Sequence, residues 1–203
     1  MTTAVLATTN PNKVREIRAL LDGLDIEVVG LDHFGGIQPP EETGATFEEN
    51  AALKARYYAA VTGLPAIAED SGLEIDALGG KPGVGSARFG GVDSSYPEKF
   101  EKLYAMLAAA GGRDSTARFV CSVALVDGDQ VRFAARGTVE GRISPEPRGT
   151  HGFGYDPIFF YPPEGRTLAE VSDDVKRAVS HRGAAFRALR TWLEGSYLNT
   201  TCR

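Results

Sequence analysis

The 203-residue chain is poor in the residues that staple or ligate. It has two cysteines, Cys121 and Cys202, too few for a disulfide framework or a zinc cluster. Its three histidines, His33, His151 and His181, are scattered without metal-ligand spacing. No apolar run approaches the length that spans a membrane. The first residues, Met1 to Leu6, carry neither a basic leader nor a long apolar stretch, so the expectation is a cytoplasmic protein without membrane attachment. Cations are outnumbered: Lys plus Arg is 22 against 27 Asp plus Glu, a net charge of −5. That argues against a nucleic-acid polymer as partner. A small polyanion stays open, because a few placed cations and a metal can hold it locally. What is present suits a folded chain, with 42% hydrophobic and 24% charged residues.

Periodic stretches alternate with glycine- and proline-rich loops. Ala4 to Ala7 reads as a buried strand. Asn10 then caps a helix with Pro11 at its first position, and Val14, Ile17, Leu20 and Leu21 give that helix one apolar face. Ile26 to Val29 is a second strand, and Gly35-Gly36 with Pro39-Pro40 mark a long loop. Thr46 and Glu49 form a capping box for a helix to about Val61. Ala66 to Glu69 is expected as a third strand ending in a turn, with Leu73 to Ala77 a separate, half-buried strand. A glycine-rich loop runs from Gly79 to Gly91, and Pro97 starts another helix. Ala117 to Val126 and Gln130 to Ile143 form a hairpin about Asp127-Gly128. A short strand covers Ile158 to Tyr161. Thr167 with Glu170 is expected to cap a helix, and Ser180 a final one bearing Phe186, Leu189, Trp192 and Leu193. The reading is a mixed α/β chain, one domain over 1–195, with 196–203 a flexible tail.

Five segments could carry chemistry. Thr8-Thr9-Asn10-Pro11-Asn12-Lys13 joins a strand to a helix, where amides and Lys13 attract anions; an ordinary capped helix fits it too. Glu41-Glu42-Thr43-Gly44 precedes the second helix, on which Asn50 and Lys54 share a face. Glu69-Asp70-Ser71-Gly72 sits at a strand end, where an acid can hold Mg²⁺; an Asp-Ser-Gly turn explains it equally well. Gly149 to Pro157 frees the backbone around Phe153, a candidate stacking surface. Lys176 and Ser180-His181-Arg182-Gly183 add cations that could also be helix-end electrostatics. Together these are the parts that bind a nucleoside triphosphate with Mg²⁺.

At these residues the sequence resembles the inosine triphosphate pyrophosphatase family in its bacterial dITP/XTP form. Thr8, Asn10 and Lys13 match its opening loop, and Glu41 to Ala51 its Glu-Glu-Thr-Gly and Thr-Phe-x-Glu-Asn-Ala run. Asp70 to Gly72, Gly79 to Arg88, Phe153 to Phe159 and Ser180 to Gly183 match the rest in order. Thr9 departs, standing where many members have glycine. The resemblance implies a long central mixed β-sheet with two α/β lobes flanking a deep cleft, and a homodimer. It implies Mg²⁺-dependent hydrolysis of ITP, dITP or XTP to the monophosphate and pyrophosphate. It assigns Glu41 and Asp70 to the metal, with Asp70 as proton acceptor. It assigns Thr8, Thr9, Asn10, Pro11, Asn12, Lys13, Ser71, Phe153, Gly154, Tyr155, Asp156, Lys176, His181 and Arg182 to the substrate. Glu69 and Glu74 are alternative bases. Arg182, which only donates, would read a 6-oxo group.

Three rival readings stand beside this one. A pyrophosphatase for modified pyrimidine or methylated nucleotides would differ in substrate panel. A nucleotide-binding sensor would bind without turnover. A plain structural domain would leave Phe153 and the charge pattern without a purpose.

Overall fold

The computed structural model describes residues 2–91 and 93–197. The expected tail and Cys202 lie mostly or wholly outside them. Among the described residues seven strands form one mixed sheet in the order β2-β1-β3-β4-β5-β6-β7. They are β1 (Thr2–Leu6), β2 (Ile26–Gly30), β3 (Ala66–Ile75), β4 (Thr116–Asp127), β5 (Gln130–Ile143), β6 (Phe159–Tyr161) and β7 (Arg166–Thr167). The helices are α1 (Pro11–Leu21), α2 (Phe47–Thr62), α3 (Tyr96–Ala109), α4 (Asp173–Val179) and α5 (His181–Trp192). β1 pairs in parallel with β2 and β3, while β5, β6 and β7 are antiparallel. Among the described residues no helix is long and apolar enough to cross a membrane.

The chain divides into two compact units. The first takes the chain up to Asp70, Cys121–Gly137 and the segment from Arg182; the second takes Ser71–Val120 and Thr138–His181. In the first unit, strand alternation sorts the core onto two faces. Ala4, Leu6, Ile67, Cys121, Val123 and Leu125 meet Ile17 of α1 and Phe186 and Leu189 of α5. Val5, Ala7, Ala66, Ala68, Ala124 and Val126 meet Ala51, Ala55 and Tyr58 of α2. In the second unit Phe100, Leu103 and Leu107 of α3 pack with Leu73, Ile75, Phe119 and Phe159.

Most expected elements form as read. Asn10 caps α1, accepting from the amides of Asn12 and Lys13, and Thr46 with Glu49 makes a full capping box on α2. Two expectations are corrected. The strand does not end at Glu69: β3 runs unbroken for 10 residues through Asp70-Ser71-Gly72, so that segment is no turn. Nor do Thr167 and Glu170 start a helix. Glu170 accepts from the Thr167 amide, but the Thr167 hydroxyl donates to the Arg148 carbonyl instead of capping. Thr167 ends β7, and the helix begins later, capped by Ser172.

Candidate active site

The continuity of β3 decides where its acids go. β1 stops at Leu6, which pairs with Ile67, so Glu69 and Asp70 lie beyond the end of the neighbouring strand. Alternation then sends them to opposite faces. Glu69 shares the parity of Ile67 and enters the α1/α5 face. Asp70 shares that of Ala68 and enters the α2 face.

Glu69 is surrounded by donors. Lys13 Nζ lies 2.5 Å from its Oε1, and Arg182 Nη2 lies 3.4 Å from the same oxygen. The Cys121 thiol donates to Oε2 at 3.3 Å. Arg182, itself buried, also bonds Glu16 at 2.8 Å. Burial alone would push Glu69 up, but Lys13 and Arg182 more than offset it and hold the carboxyl well below the ordinary carboxylate range. Burial and the Glu69 charge push the Cys121 thiol up, so it stays a donor and no nucleophile. A carboxylate held low and engaged by three donors is a poor proton acceptor. Glu74 pairs with Arg118 at 3.7 Å within the second unit.

Asp70 meets a different environment. Lys54 Nζ donates to its Oδ1 at 3.1 Å and to Glu42 Oε1 at 2.6 Å. Asn50 Nδ2 donates to its Oδ2 at 3.1 Å. Burial pushes Asp70 up; Lys54 pulls it back, but Glu42 opposes its charge, and the balance is a raised pKa. For Lys54 burial works against the charge, yet Asp70 and Glu42 keep it above its usual value. Two carboxylates thus converge on one cation. The acid set beside Asp70 is Glu42, while Glu41, the sequence choice, is exposed.

The loop before α1 is ordered from within. The Asn10 amide donates to Thr8 Oγ1 at 3.2 Å, and those of Asn12 and Lys13 donate to Asn10 Oδ1 at 3.0 and 3.3 Å. The amides expected to draw an anion are therefore already bonded, and the charge offered by this loop is that of Lys13. Thr9 and Pro11 are exposed.

In the second unit, Asp156 organises the aromatic loop. Its Oδ2 accepts from the Phe153 amide at 2.8 Å and from Lys176 Nζ at 2.6 Å. Lys176 Nζ also lies 4.4 Å from the Phe153 ring centroid. Phe153 is thus half-buried, with one face against an ammonium, rather than free on both sides. Gly152 is needed, since its φ of +70° favours glycine and a Cβ would run into the Asp156 carboxylate. Tyr155 donates to the Ser86 carbonyl at 2.8 Å, and the Ser86 hydroxyl accepts from the Leu73 amide at 2.9 Å. The loop around Gly154 is thereby tied to β3 two residues past Ser71. His181 stacks on Phe119 at 4.8 Å and is buried.

Comparison with known proteins places this arrangement. The profile of the Ham1 family matches residues 4–192. The chain belongs to the Ham1 family. It is 47% identical over 193 residues to a protein of Geobacter sulfurreducens named dITP/XTP pyrophosphatase, covering 95% of this chain and 97% of that one. The solved structure of a HAM1 protein from Coxiella burnetii superposes with a TM-score of 0.91 at 43% identity, covering 97% of this chain and 100% of that one. The Ham1 protein of Staphylococcus aureus gives 0.85 at 38% identity, covering 96% and 99%.

Within this Ham1 chain the sequence reading under-used two sets of residues. Glu42, Lys54 and Asn50 complete the Asp70 site, and the shared helix face of Asn50 and Lys54 was the signal for two of them. Cys121 and Glu16 complete the Glu69 cluster, and both come from segments with no motif of their own. Arg182 is found in that cluster, bonded to two carboxylates.

Proposed function

We propose that this Ham1-family chain hydrolyses non-canonical purine nucleoside triphosphates, dITP, ITP and XTP, to the monophosphate and pyrophosphate, as a Mg²⁺-dependent homodimer in the cytoplasm. Full-length similarity to proteins named for that activity supports the substrate class. The observation that carries the chemistry is the convergence of Asp70 and Glu42 on a single cationic point.

The residues fit Mg²⁺. That ion prefers hard oxygen donors and needs only one or two carboxylates, the rest being waters and phosphate oxygens. Among the described residues no cluster of three or more His, Cys, Asp or Glu forms a dedicated cage. Two acids on one point, with a raised Asp70, suit a shared site. Asp70 would hold the ion with an acid of the Glu41-Glu42 loop. When bound it would supply charge neutralisation along the phosphate chain.

In this reading water attacks the α-phosphorus, the bond to the α–β bridging oxygen breaks, and pyrophosphate leaves with that oxygen. Asp70 orients the water and accepts its proton, a task for which Glu69, engaged by Lys13, Arg182 and Cys121, is not free. Lys54 and Lys13 offset the charge on the phosphates. Thr8 to Lys13, Ser71, Lys176 and His181 contact substrate, and Phe153 offers its ring face to the purine, with Gly154, Tyr155 and Asp156 shaping that loop. Arg182 acts through Glu69, which it shares with Lys13.

The test is the product. XTP, dITP, ITP and ATP are incubated with the protein and Mg²⁺, and pyrophosphate and phosphate are measured separately. Monophosphate with pyrophosphate from XTP and dITP, abolished in Asp70→Asn, is expected. Diphosphate with phosphate, or tight binding without turnover, would overturn the reading.

A further inference from the structure

We propose that Asn50 is a positioning residue of the Asp70 site: its side-chain amide fixes the Asp70 carboxylate and the backbone of the Glu41–Gly44 loop against each other. The inference deepens the proposed function and rests on it.

Asn50 is an expensive choice where it stands. It lies in the first part of α2, fully buried. Asparagine is a weak residue for a helix interior, and a buried amide is costly unless bonded. Both of its ends are used. Nδ2 donates to Asp70 Oδ2 at 3.1 Å, and Oδ1 accepts from the Gly44 amide at 2.8 Å. The other Asp70 oxygen is taken by Lys54. The two carboxylate oxygens are therefore assigned to two residues one helical turn apart, and the plane of the group is set.

The side chain must donate toward a carboxylate and accept from an N–H. A short amide does both; a carboxylate cannot donate and an aliphatic chain can do neither. Gly44 gives a second, independent sign. Its φ is not in the left-handed region, so conformational freedom is not what it supplies. A Cβ there would lie 2.6 Å from Asn50 Oδ1 and 2.8 Å from Glu49 Cβ. The loop backbone must lie directly on Asn50. The contact continues a series, because the amides of Ala45 and Thr46 both donate to Glu49 Oε2. From Thr46 back to Gly44 the acid loop is stapled to α2, and Asn50 extends the staple to within two residues of Glu42.

The test uses the full chain with Asn50→Leu, Asn50→Asp and Gly44→Ala, each checked for folding by thermal unfolding. Two readouts are taken: Mn²⁺ binding without nucleotide, by electron paramagnetic resonance, and kcat and KM for XTP. Asn50→Leu is expected to weaken Mn²⁺ at least about fivefold, through a loosened Asp70. Asn50→Asp is expected to tighten it, since a further carboxylate faces the same point. Both are expected to lower kcat at least about tenfold with KM changed less than about threefold. Gly44→Ala, which leaves Asn50 in the chain, is expected to lower kcat in the same way. Opposite signs on Mn²⁺ with the same sign on kcat would not arise from a general loss of structure. Mn²⁺ affinity and kcat within threefold of wild type in folded Asn50→Leu and Gly44→Ala would overturn the proposal. A wild-type protein that binds Mn²⁺ but releases no pyrophosphate would overturn the functional reading instead, and the Mn²⁺ arm would then judge Asn50 alone.

Discussion

Replacing Glu69 with glutamine tests the claim that this acid holds the α1/α5 face together. The change keeps shape and removes charge. Three donors, Lys13, Arg182 and Cys121, would face one carbonyl oxygen and an NH₂ group that repels them. Removing one partner of a buried ion pair costs about 3–5 kcal/mol. Here the loss should fall near the low end, about 3 kcal/mol, because Arg182 keeps Glu16 and Lys13 can turn to water. For a domain of this size that lowers Tm by roughly 6–12 °C. The pH dependence follows from the depressed carboxyl. The unfolded chain binds a proton near the ordinary value of 4.5, and the folded chain only well below it. The wild-type advantage is therefore complete above about pH 4.5 and is lost as pH falls through the folded pKa. Urea unfolding of both proteins between pH 7 and pH 2 reads this directly. A difference under about 1 kcal/mol at pH 7, or one of unchanged size down to pH 2, would refute the argument.

Three other changes separate the remaining roles. Glu42→Gln is expected to raise the Mg²⁺ concentration for half-maximal turnover more than Glu41→Gln does; the reverse order would make Glu41 the metal acid, as the resemblance implies. Lys13→Ala is expected to weaken XTP more than XMP by about 1.5–3 kcal/mol, read by competition, and equal losses would place Lys13 away from the phosphate chain. Phe153→Ala should raise KM for all purine triphosphates alike, whereas Arg182→Ala should lower Tm and reduce turnover with every base, because its guanidinium belongs to Glu16 and Glu69. An ITP-to-ATP ratio that collapses in a folded Arg182→Ala would instead support the base-reading role expected from sequence.

Local chemistry made much of the fold legible. Asn10 and Pro11 start α1, Thr46 and Glu49 start α2, and Asp127-Gly128 turns β4 into β5. These signals act within a few residues and need no tertiary partner. The failures have a common cause. Thr167 and Glu170 carry a capping pattern, but the Thr167 hydroxyl is claimed by Arg148, 19 residues earlier. Asp70-Ser71-Gly72 carries a turn pattern, but β3 continues through it beside β4. In each case a long-range partner overrode a local preference, and a single chain does not display such partners.

The second failure had the larger consequence. Once a turn is placed after Glu69, nothing in the local sequence says which way either acid faces. A continuous strand removes that freedom, because period-two alternation puts neighbouring side chains on opposite faces. One acid then meets α1 and α5 with their Lys13 and Arg182, and the other meets α2 with Asn50 and Lys54. The same burial that opposes ionisation in both is overcome in Glu69 by two cations, and in Asp70 is reinforced by Glu42. The different surroundings of the two acids therefore come from strand parity, which sets Glu69 among the cations of the α1/α5 face and Asp70 beside Glu42, Asn50 and Lys54 on the α2 face.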